Sequence, residues 1–190
     1  MKLKLFLIIT LFLSVSAFSQ SRNNISVYWS TVTNDMDIHG AVGDFGYAGN
    51  GGAKLGINYE RRLSQHFSIQ AGLQYSDDKL TLNSFLPPKS FNTPQEIKLI
   101  TVPILAKVNF WNVVFIDGGI LADFETSNTS THNQSGIGYE IGGGLQYHFA
   151  NVLLFVNPYA QYHHAIGFGQ SSPNFNLIEA GWKFGLGYSF

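Results

Sequence analysis

The sequence contains no cysteine and few charged residues. The absence of cysteine excludes a disulfide framework, a thiolate zinc site, a cysteine nucleophile and a lipidated cysteine after a signal sequence. Charged residues make up 12% of the 190 residues, against roughly 25% in ordinary soluble domains, while aromatic residues reach 15%. The net charge is −1 and no stretch concentrates Lys and Arg, which excludes a nucleic-acid partner. The composition indicates that much of the surface does not face water.

Long hydrophobic runs are also missing from most of the chain. Only the start has one, where Lys2 and Lys4 precede an apolar run over residues 5–15 and small residues follow in "SAFSQ". This order is typical of a secretory signal peptide, and the run is too short to span a membrane as a helix. We predict a signal peptide over residues 1–19 and one mature domain over residues 20–190. A membrane-embedded mature domain without helical spans has to be a barrel.

What the mature sequence does have is alternation of apolar and polar residues. In "FSIQAGLQY", every second residue from Phe67 to Tyr75 is apolar, which predicts a strand with one apolar and one polar face. A tilted strand of about ten residues crosses the apolar band of a bilayer. The pattern predicts eight strands, over residues 25–31, 53–62, 67–75, 99–110, 113–124, 137–149, 152–163 and 177–190.

The connections between these strands alternate between long and short. Residues 34–51, 77–95, 125–135 and 165–176 form the predicted long loops, and the tight connections lie around residues 63–65, 111–112 and 150–151. Outer-membrane barrels have short periplasmic turns and longer external loops. We therefore predict an all-β fold, an eight-stranded antiparallel up-and-down transmembrane β-barrel, with extracellular loops and both termini in the periplasm.

The polar face of the strands is predicted to point inward. It carries charges at mid-strand, which an apolar ligand cavity would not tolerate, while the apolar face carries aromatic residues near the strand ends, as an interfacial girdle does. An eight-stranded barrel is only wide enough for its own side chains to fill it. We therefore expect a network of paired charges rather than an ion path, formed by Lys54, Glu60, Lys107, Asp117, Glu140, Glu179 and Lys183.

One residue departs from the strand pattern. Pro103 lies inside "TVPILAKV", and proline in a paired strand removes a hydrogen-bond donor from the ladder. This predicts a local bulge at Pro103.

Several segments together resemble a known family. "YERRLSQHFSIQAGLQYS", "ITVPILAKVNF", "VFIDGGILADF", "GIGYEIGGGLQYHF" and the final "GWKFGLGYSF" resemble, in this order, the small outer-membrane β-barrel family described as porin family or OmpA/OmpX-like. The resemblance covers essentially the whole mature chain. It implies a bacterial outer-membrane location, outer-membrane lipid and lipopolysaccharide as surroundings, and the barrel assembly machinery as a partner. In the family, the last strand carries the assembly signal and ends on an aromatic residue, which assigns it here to Trp182, Phe184, Leu186, Tyr188 and Phe190.

No catalytic residue, metal site or cofactor is predicted. His163 and His164 lie near the outer end of the predicted seventh strand, but Ala165 and Ile166 stand where a lipid-deacylating barrel has its serine nucleophile. We therefore expect them in the aromatic girdle or at a loop base. Asp77 beside Ser76 keeps a lipid-modifying enzyme open as an alternative.

The loop sequence "LTLNSFLPPKSF" is unusually apolar for a water-exposed segment. Its apolar side chains either cover one another or bind an unknown surface partner; the candidates are Leu82, Phe85, Leu86 and Phe91, together with Leu80. The resulting prediction is a non-enzymatic barrel whose external loops bind a partner. A lipid-modifying barrel enzyme and a narrow solute channel are the alternatives.

Overall fold

The computed structural model describes residues 23–38, 45–84, 91–111, 113–127, 133–168 and 175–190. These residues form eight antiparallel strands, each paired with its sequence neighbours, and β1 pairs with β8 to close a barrel. No helix among them is long and apolar enough to cross a membrane. The strands are β1 (Asn23–Ile38), β2 (Phe45–Arg62), β3 (Phe67–Ser84), β4 (Phe91–Phe110), β5 (Val114–Glu125), β6 (Gly136–Phe149), β7 (Val152–Gly167) and β8 (Phe175–Ser189). The all-β, up-and-down barrel predicted from the sequence is confirmed.

The strands are strongly staggered around the barrel. Following partner residues once around from Ile25 leads back to β1 at Asp35, ten residues further along the same strand. A stagger of this kind requires the strands to tilt relative to the barrel axis. The steps on this path are Tyr59, Ala71, Ile104, Ile120, Tyr139, Tyr162 and Ile178.

Successive residues along each strand face opposite sides of the barrel wall. In β1, Ser26 and Ser30 are buried, whereas Val27 and Trp29 are 53% and 49% exposed. Because the buried side of a closed barrel is its interior, the polar set lines the interior and the apolar set lies on the outer surface. This is the distribution of a barrel whose outer face contacts lipid.

The two ends of the barrel differ. One end, here called the terminal end, carries the start of β1, the end of β8 and the short connections over residues 63–66, 111–113 and 150–151. At this end the backbones of Asn23 and Phe190 exchange two hydrogen bonds of 2.8 Å each. The other end, here called the loop end, carries the longer connections over residues 39–44, 85–90, 126–135 and 168–174.

The prediction of long loops over residues 34–51 and 77–95 is wrong for most of their residues, which belong to strands. Residues 34–38 and 45–51 belong to β1 and β2, and residues 77–84 and 91–95 belong to β3 and β4. In this region outward positions become polar, as at Asp35, Asp77 and Lys79. The apolar alternation therefore stops before the strands end, although strand pairing continues.

The predicted bulge at Pro103 is also wrong. Pro103 is opposite Leu121 of β5 in an unbroken register, and its inward-facing ring is buried. Register shifts occur elsewhere. One lies between Gly49 and Gly52 of β2, where Gly51 adopts a φ of 77°.

The second register shift lies between Ile137 and Tyr139 of β6. Opposite it, β7 carries extra residues around His163 and His164, and His164 has a φ of 58°. A bulge of this kind breaks the alternation of side chains along a strand. His164 is buried as a result, at 3% exposure, next to His163, which ordinary alternation already places on the inward face and which is 0% exposed.

An apolar cluster closes the interior at the loop end. It is called the loop-end cluster below, and Tyr47 packs against it. Leu80, expected from the sequence to be exposed in a loop, is only 1% exposed because it belongs to this cluster. Its members are Met36, Leu80, Ile97, Leu99, Phe175 and Leu177.

Candidate functional site

The seven charged residues assigned to the interior from the sequence all lie on the inward face. Each is at most 5% exposed. Glycines on the same face make this packing possible: a Cβ built on Gly56 would lie 2.3 Å from Cζ of Tyr28. The interior is therefore filled by large side chains that occupy the space beside glycines.

Glu60 and Lys107 form an ion pair near the terminal end. Lys107 Nζ donates to Glu60 Oε2 at 2.9 Å and lies 4.3 Å from the centre of the Phe115 ring. Asp117, one strand away, accepts a hydrogen bond of 2.8 Å from Asn157 Nδ2. The cavity bordered by these residues has a volume of about 10 Å³, which is about the room that one water molecule needs.

A second set of contacts links the middle of the interior. Lys183 donates to Glu140, and Gln161 Nε2 donates to the other oxygen of Glu140 at 2.5 Å. Lys54 donates to both Gln161 and Glu179. Four of the predicted residues are thus joined in one chain of contacts through Gln161.

His163 extends this chain toward the loop end. Its Nδ1 is 2.9 Å from Asp123 Oδ2, and its Nε2 is 2.9 Å from Glu179 Oε2. The hydroxyl of Thr101 donates to Asp123 Oδ1 at 2.7 Å. The expectation of a girdle or loop-base position for His163 and His164 is therefore wrong, because both side chains lie inside the barrel.

Sequence reasoning missed part of this site for two different reasons. Asp123 lies an even number of residues after Asp117 in β5, and His163 lies two residues after Gln161 in β7. The alternation of the strands therefore predicts that both face inward. Asp78 lay in a predicted loop, where no inward face was assigned. Asp78 is in fact 0% exposed, and its Oδ1 accepts from Asn34 Nδ2 at 3.1 Å.

Ser76 and Asp77 do not form a catalytic pair. Ser76 is buried inside the barrel, whereas Asp77 follows it in β3 and faces the opposite side of the wall. Across the described ranges, no three His, Asp or Glu side chains are arranged to hold a metal ion.

The residues assigned to the assembly signal form an outward row along β8 and the residue that follows it. Phe184 stacks on Trp29 of β1 with ring centres 6.4 Å apart, and Tyr188 stacks on Phe190 at 6.5 Å. The exposed fractions are 52% for Trp182, 49% for Phe184, 52% for Leu186, 52% for Tyr188 and 60% for Phe190.

The candidate loop residues are only partly described. Leu82 is half-buried in β3, where it is opposite Tyr47 and Thr93. Phe91 is the first residue of β4 and is opposite Ser84. Phe85, Leu86 and the side chain of Phe91 lie outside the described part of the chain.

The sequence matches a family model described as outer membrane protein beta-barrel domain, over residues 5–190. The chain belongs to this family. Membership places the protein in the bacterial outer membrane, so that the outward apolar residues contact lipid. No curated protein sequence matches the chain.

Solved structures show the same fold at low sequence identity. OprG from Pseudomonas aeruginosa is 15% identical with a TM-score of 0.56, covering 90% of this chain and 96% of OprG. AlkL, solved in lipid bilayers, is 10% identical with a TM-score of 0.59 and 92% of each chain covered. Ail, the attachment invasion locus protein of Yersinia pestis, is 13% identical with a TM-score of 0.51, covering 90% of this chain and 99% of Ail.

Proposed function

We propose that this outer-membrane barrel is neither a channel nor an enzyme and that it acts by binding a partner at its loop end. The observation that carries the proposal is the filled interior. Paired charges occupy its middle, the cavity among them is about 10 Å³, and the loop-end cluster closes one end. A permeant ion or solute needs a wider, continuous path, so the activity is assigned to the outer surface.

Planar-bilayer recording tests the closed interior. The purified protein should give no stable conductance steps, because the ion pairs and the loop-end cluster fill the interior formed by the described residues. Stable steps on the nanosiemens scale would contradict the proposal and favour the solute-channel alternative.

The loop end is proposed to be extracellular, and the signal peptide over residues 1–19 to direct export. The short connections at the terminal end support this orientation, since periplasmic turns of such barrels are short. The chain has no cysteine, so single cysteines report position cleanly. On intact cells, a membrane-impermeant maleimide should label Lys79→Cys at the loop end and leave Ser64→Cys at the terminal end unlabelled. The reverse pattern would overturn the orientation.

The described outer surface at the loop end leans toward negative charge. Asp35, Asp37, Asp77 and Glu96 occupy outward positions there, together with Lys79 and Lys98. Lys98 Nζ lies 3.1 Å from Glu96 Oε1, and this hydrogen bond lowers the pKa of the Glu96 carboxyl. Such a surface favours a partner that is not a polyanion.

The fold neighbour Ail offers a direct comparison, since its structure was solved with the heparin analogue sucrose octasulfate. We expect this chain to bind sucrose octasulfate weakly or not at all in calorimetry, because its described loop-end surface carries more carboxylates than ammonium groups. Tight binding would show that a polyanion is the preferred partner class.

The apolar loop is the proposed contact for the surface partner. Replacing Phe85 and Phe91 with Ser should leave heat-modifiable gel mobility unchanged, yet abolish crosslinked capture of the partner from intact outer membranes. Lys79→Ser serves as a control on the neighbouring exposed surface. Unchanged capture by the Phe85→Ser/Phe91→Ser variant would contradict the proposal that this loop contacts the partner.

A further inference from the structure

Five ionisable side chains meet inside the barrel directly below the loop-end cluster. They are called the buried carboxyl cluster and come from five strands: Lys54, Asp78, Asp123, His163 and Glu179. Each is at most 1% exposed. Burial at this level makes any uncompensated charge costly.

The geometry around His163 fixes its charge. One ring nitrogen lies 2.9 Å from Asp123 Oδ2 and the other lies 2.9 Å from Glu179 Oε2. An ionised carboxylate only accepts hydrogen bonds, and an imidazole donates from both nitrogens only when it is protonated. With Asp123 and Glu179 both ionised, His163 is therefore an imidazolium cation in this arrangement.

With His163 positive, the other charges can be counted. Lys54 and His163 are the two cations, and they contact Glu179 and Asp123, which are the two matching anions. Asp78 is a third carboxyl without a cation of its own. Its Oδ1 accepts from Asn34 Nδ2 at 3.1 Å, and an ionised Asp78 would leave the cluster with a net negative charge.

The remaining oxygens indicate where a proton belongs. Asp78 Oδ2 and Glu179 Oε1 are both buried without a hydrogen-bond partner. The two side chains adjoin the same residue, since Asn34 donates to Asp78 at 3.1 Å and is the direct partner of Glu179 in the ladder between β1 and β8. Two neighbouring buried carboxyl groups that each have an oxygen without a hydrogen-bond donor are satisfied when one of them carries a proton. We propose that Asp78 carries this proton and donates a hydrogen bond with it to Glu179. This hydrogen bond ties β3 to β8 across the barrel interior.

Among the described residues, the neighbouring strands present no further cation to Asp78. β1 contributes the neutral amide of Asn34 and β4 the neutral hydroxyl of Thr101, which bonds Asp123. β6 contributes Glu140, whose charge is matched by Lys183. The proton is therefore what makes the buried carboxyl cluster neutral.

The shared proton predicts an unusual dependence of stability on pH. In the unfolded chain an Asp ionises at mildly acidic pH, whereas the folded barrel keeps the Asp78 proton to higher pH. The folded state then binds more protons than the unfolded state, so stability falls as pH rises. Leu80 and Leu177, in the loop-end cluster, lie two residues beyond Asp78 and Glu179 on the same face, so loss of the proton weakens the closure of the interior.

Infrared difference spectroscopy tests the proton directly. At neutral pH, the folded protein in detergent micelles should show the C=O stretch of one buried protonated carboxyl, absent in Asp78→Asn and retained in Ser76→Ala, a neighbouring inward control. A wild-type spectrum without this band would overturn the proposal. So would a band that persists in Asp78→Asn.

Stability measurements distinguish a proton on Asp78 from a bound metal cation that would neutralise the carboxylate instead. Asn at position 78 can donate to Glu179 as a protonated Asp does, so Asp78→Asn should unfold within a few degrees of the wild type at pH 7 and lose less stability at alkaline pH. Asp123→Asn removes a needed anion and should lower the unfolding midpoint by about 10 °C. Equal losses of stability in both variants would contradict the proposal. So would a wild-type stability at pH 7 that rises with added sodium chloride but not with choline chloride, since this would indicate a bound sodium ion in place of the proton.

Discussion

Lys107 Nζ lies 2.9 Å from Glu60 Oε2 inside the barrel, between strands that are not neighbours in the sheet. This buried pair predicts a large asymmetry between single and double replacements. Glu60→Leu alone leaves a buried ammonium group without its anion and should cost about 3–5 kcal/mol of unfolding free energy. Glu60→Leu with Lys107→Met removes both charges and should recover most of that loss. Urea unfolding in micelles, followed by heat-modifiable mobility, measures both.

The exposed pair of Glu96 and Lys98 provides the control for this prediction. Its atoms are 3.1 Å apart at the loop end, in contact with water, where such pairs add little. Glu96→Gln should therefore leave the unfolding midpoint unchanged. A double replacement at positions 60 and 107 as unstable as Glu60→Leu alone would show that packing, not charge, dominates there.

Gly56→Ala is predicted to lower the free energy of unfolding. A Cβ at this position would lie 2.3 Å from Cζ of Tyr28, so the ring has to move and the hydrogen bond of 2.9 Å from Tyr28 to Gln74 is lost. Overpacking of this kind costs about 1–3 kcal/mol. Gly46→Ala in the same strand is the matched control, because a Cβ there meets no atom within 4 Å. Equal unfolding midpoints for both variants would contradict the prediction.

The strands and their facing were predictable because lipid and a narrow interior impose opposite polarity on alternate residues. Phe67 to Tyr75 show this alternation, and β3 begins at Phe67 in the structure. The end of β3 was not predictable in the same way. Beyond Tyr75 both faces change environment, so Asp77 and Lys79 look like loop residues although they pair with β4.

The interior charges were predictable individually, but their grouping was not. The alternation along each strand places Asp117 and Glu140 inside the barrel. Only the pairing register around the barrel, however, brings Glu140 close to Lys183 and Gln161. The bulge that turns His164 inward has no sequence signal of the usual kind, since His164 is not a glycine. Pro103, which carries the usual signal, stays in register with Leu121 of β5, and its pairing with β3 is interrupted without a register shift.

Leu80 and Leu82 are two residues apart in β3 and are predicted to respond differently to truncation. Leu80 is 1% exposed within the loop-end cluster, so Leu80→Ala should cost about 2–5 kcal/mol. Leu82 is only half-buried, and Leu82→Ala should cost clearly less. Thermal unfolding in micelles compares the two, and a larger loss for Leu82→Ala would place the interior closure further along the strand.

The final prediction concerns Phe190, which we propose as part of an assembly signal. Its backbone exchanges two hydrogen bonds of 2.8 Å with Asn23, which complete the closure of β8 on β1, while its ring is 60% exposed on the outer surface. Deleting the residue removes the backbone bonds and the ring together. Phe190→Ala keeps the bonds and removes only the ring, so it separates barrel closure from the signal.

If the assembly machinery reads the aromatic ring, Phe190→Ala and the deletion should both deplete the protein from the outer membrane of cells. Refolding of Phe190→Ala into micelles should remain close to that of the wild type, since losing an exposed ring costs at most about 1–3 kcal/mol. Phe149→Ala is the matched control, because Phe149 is a 70% exposed aromatic residue at the same end of the barrel but outside the last strand. Normal insertion of Phe190→Ala in cells, or equal depletion of Phe149→Ala, would mean that the terminal ring only anchors the barrel in lipid.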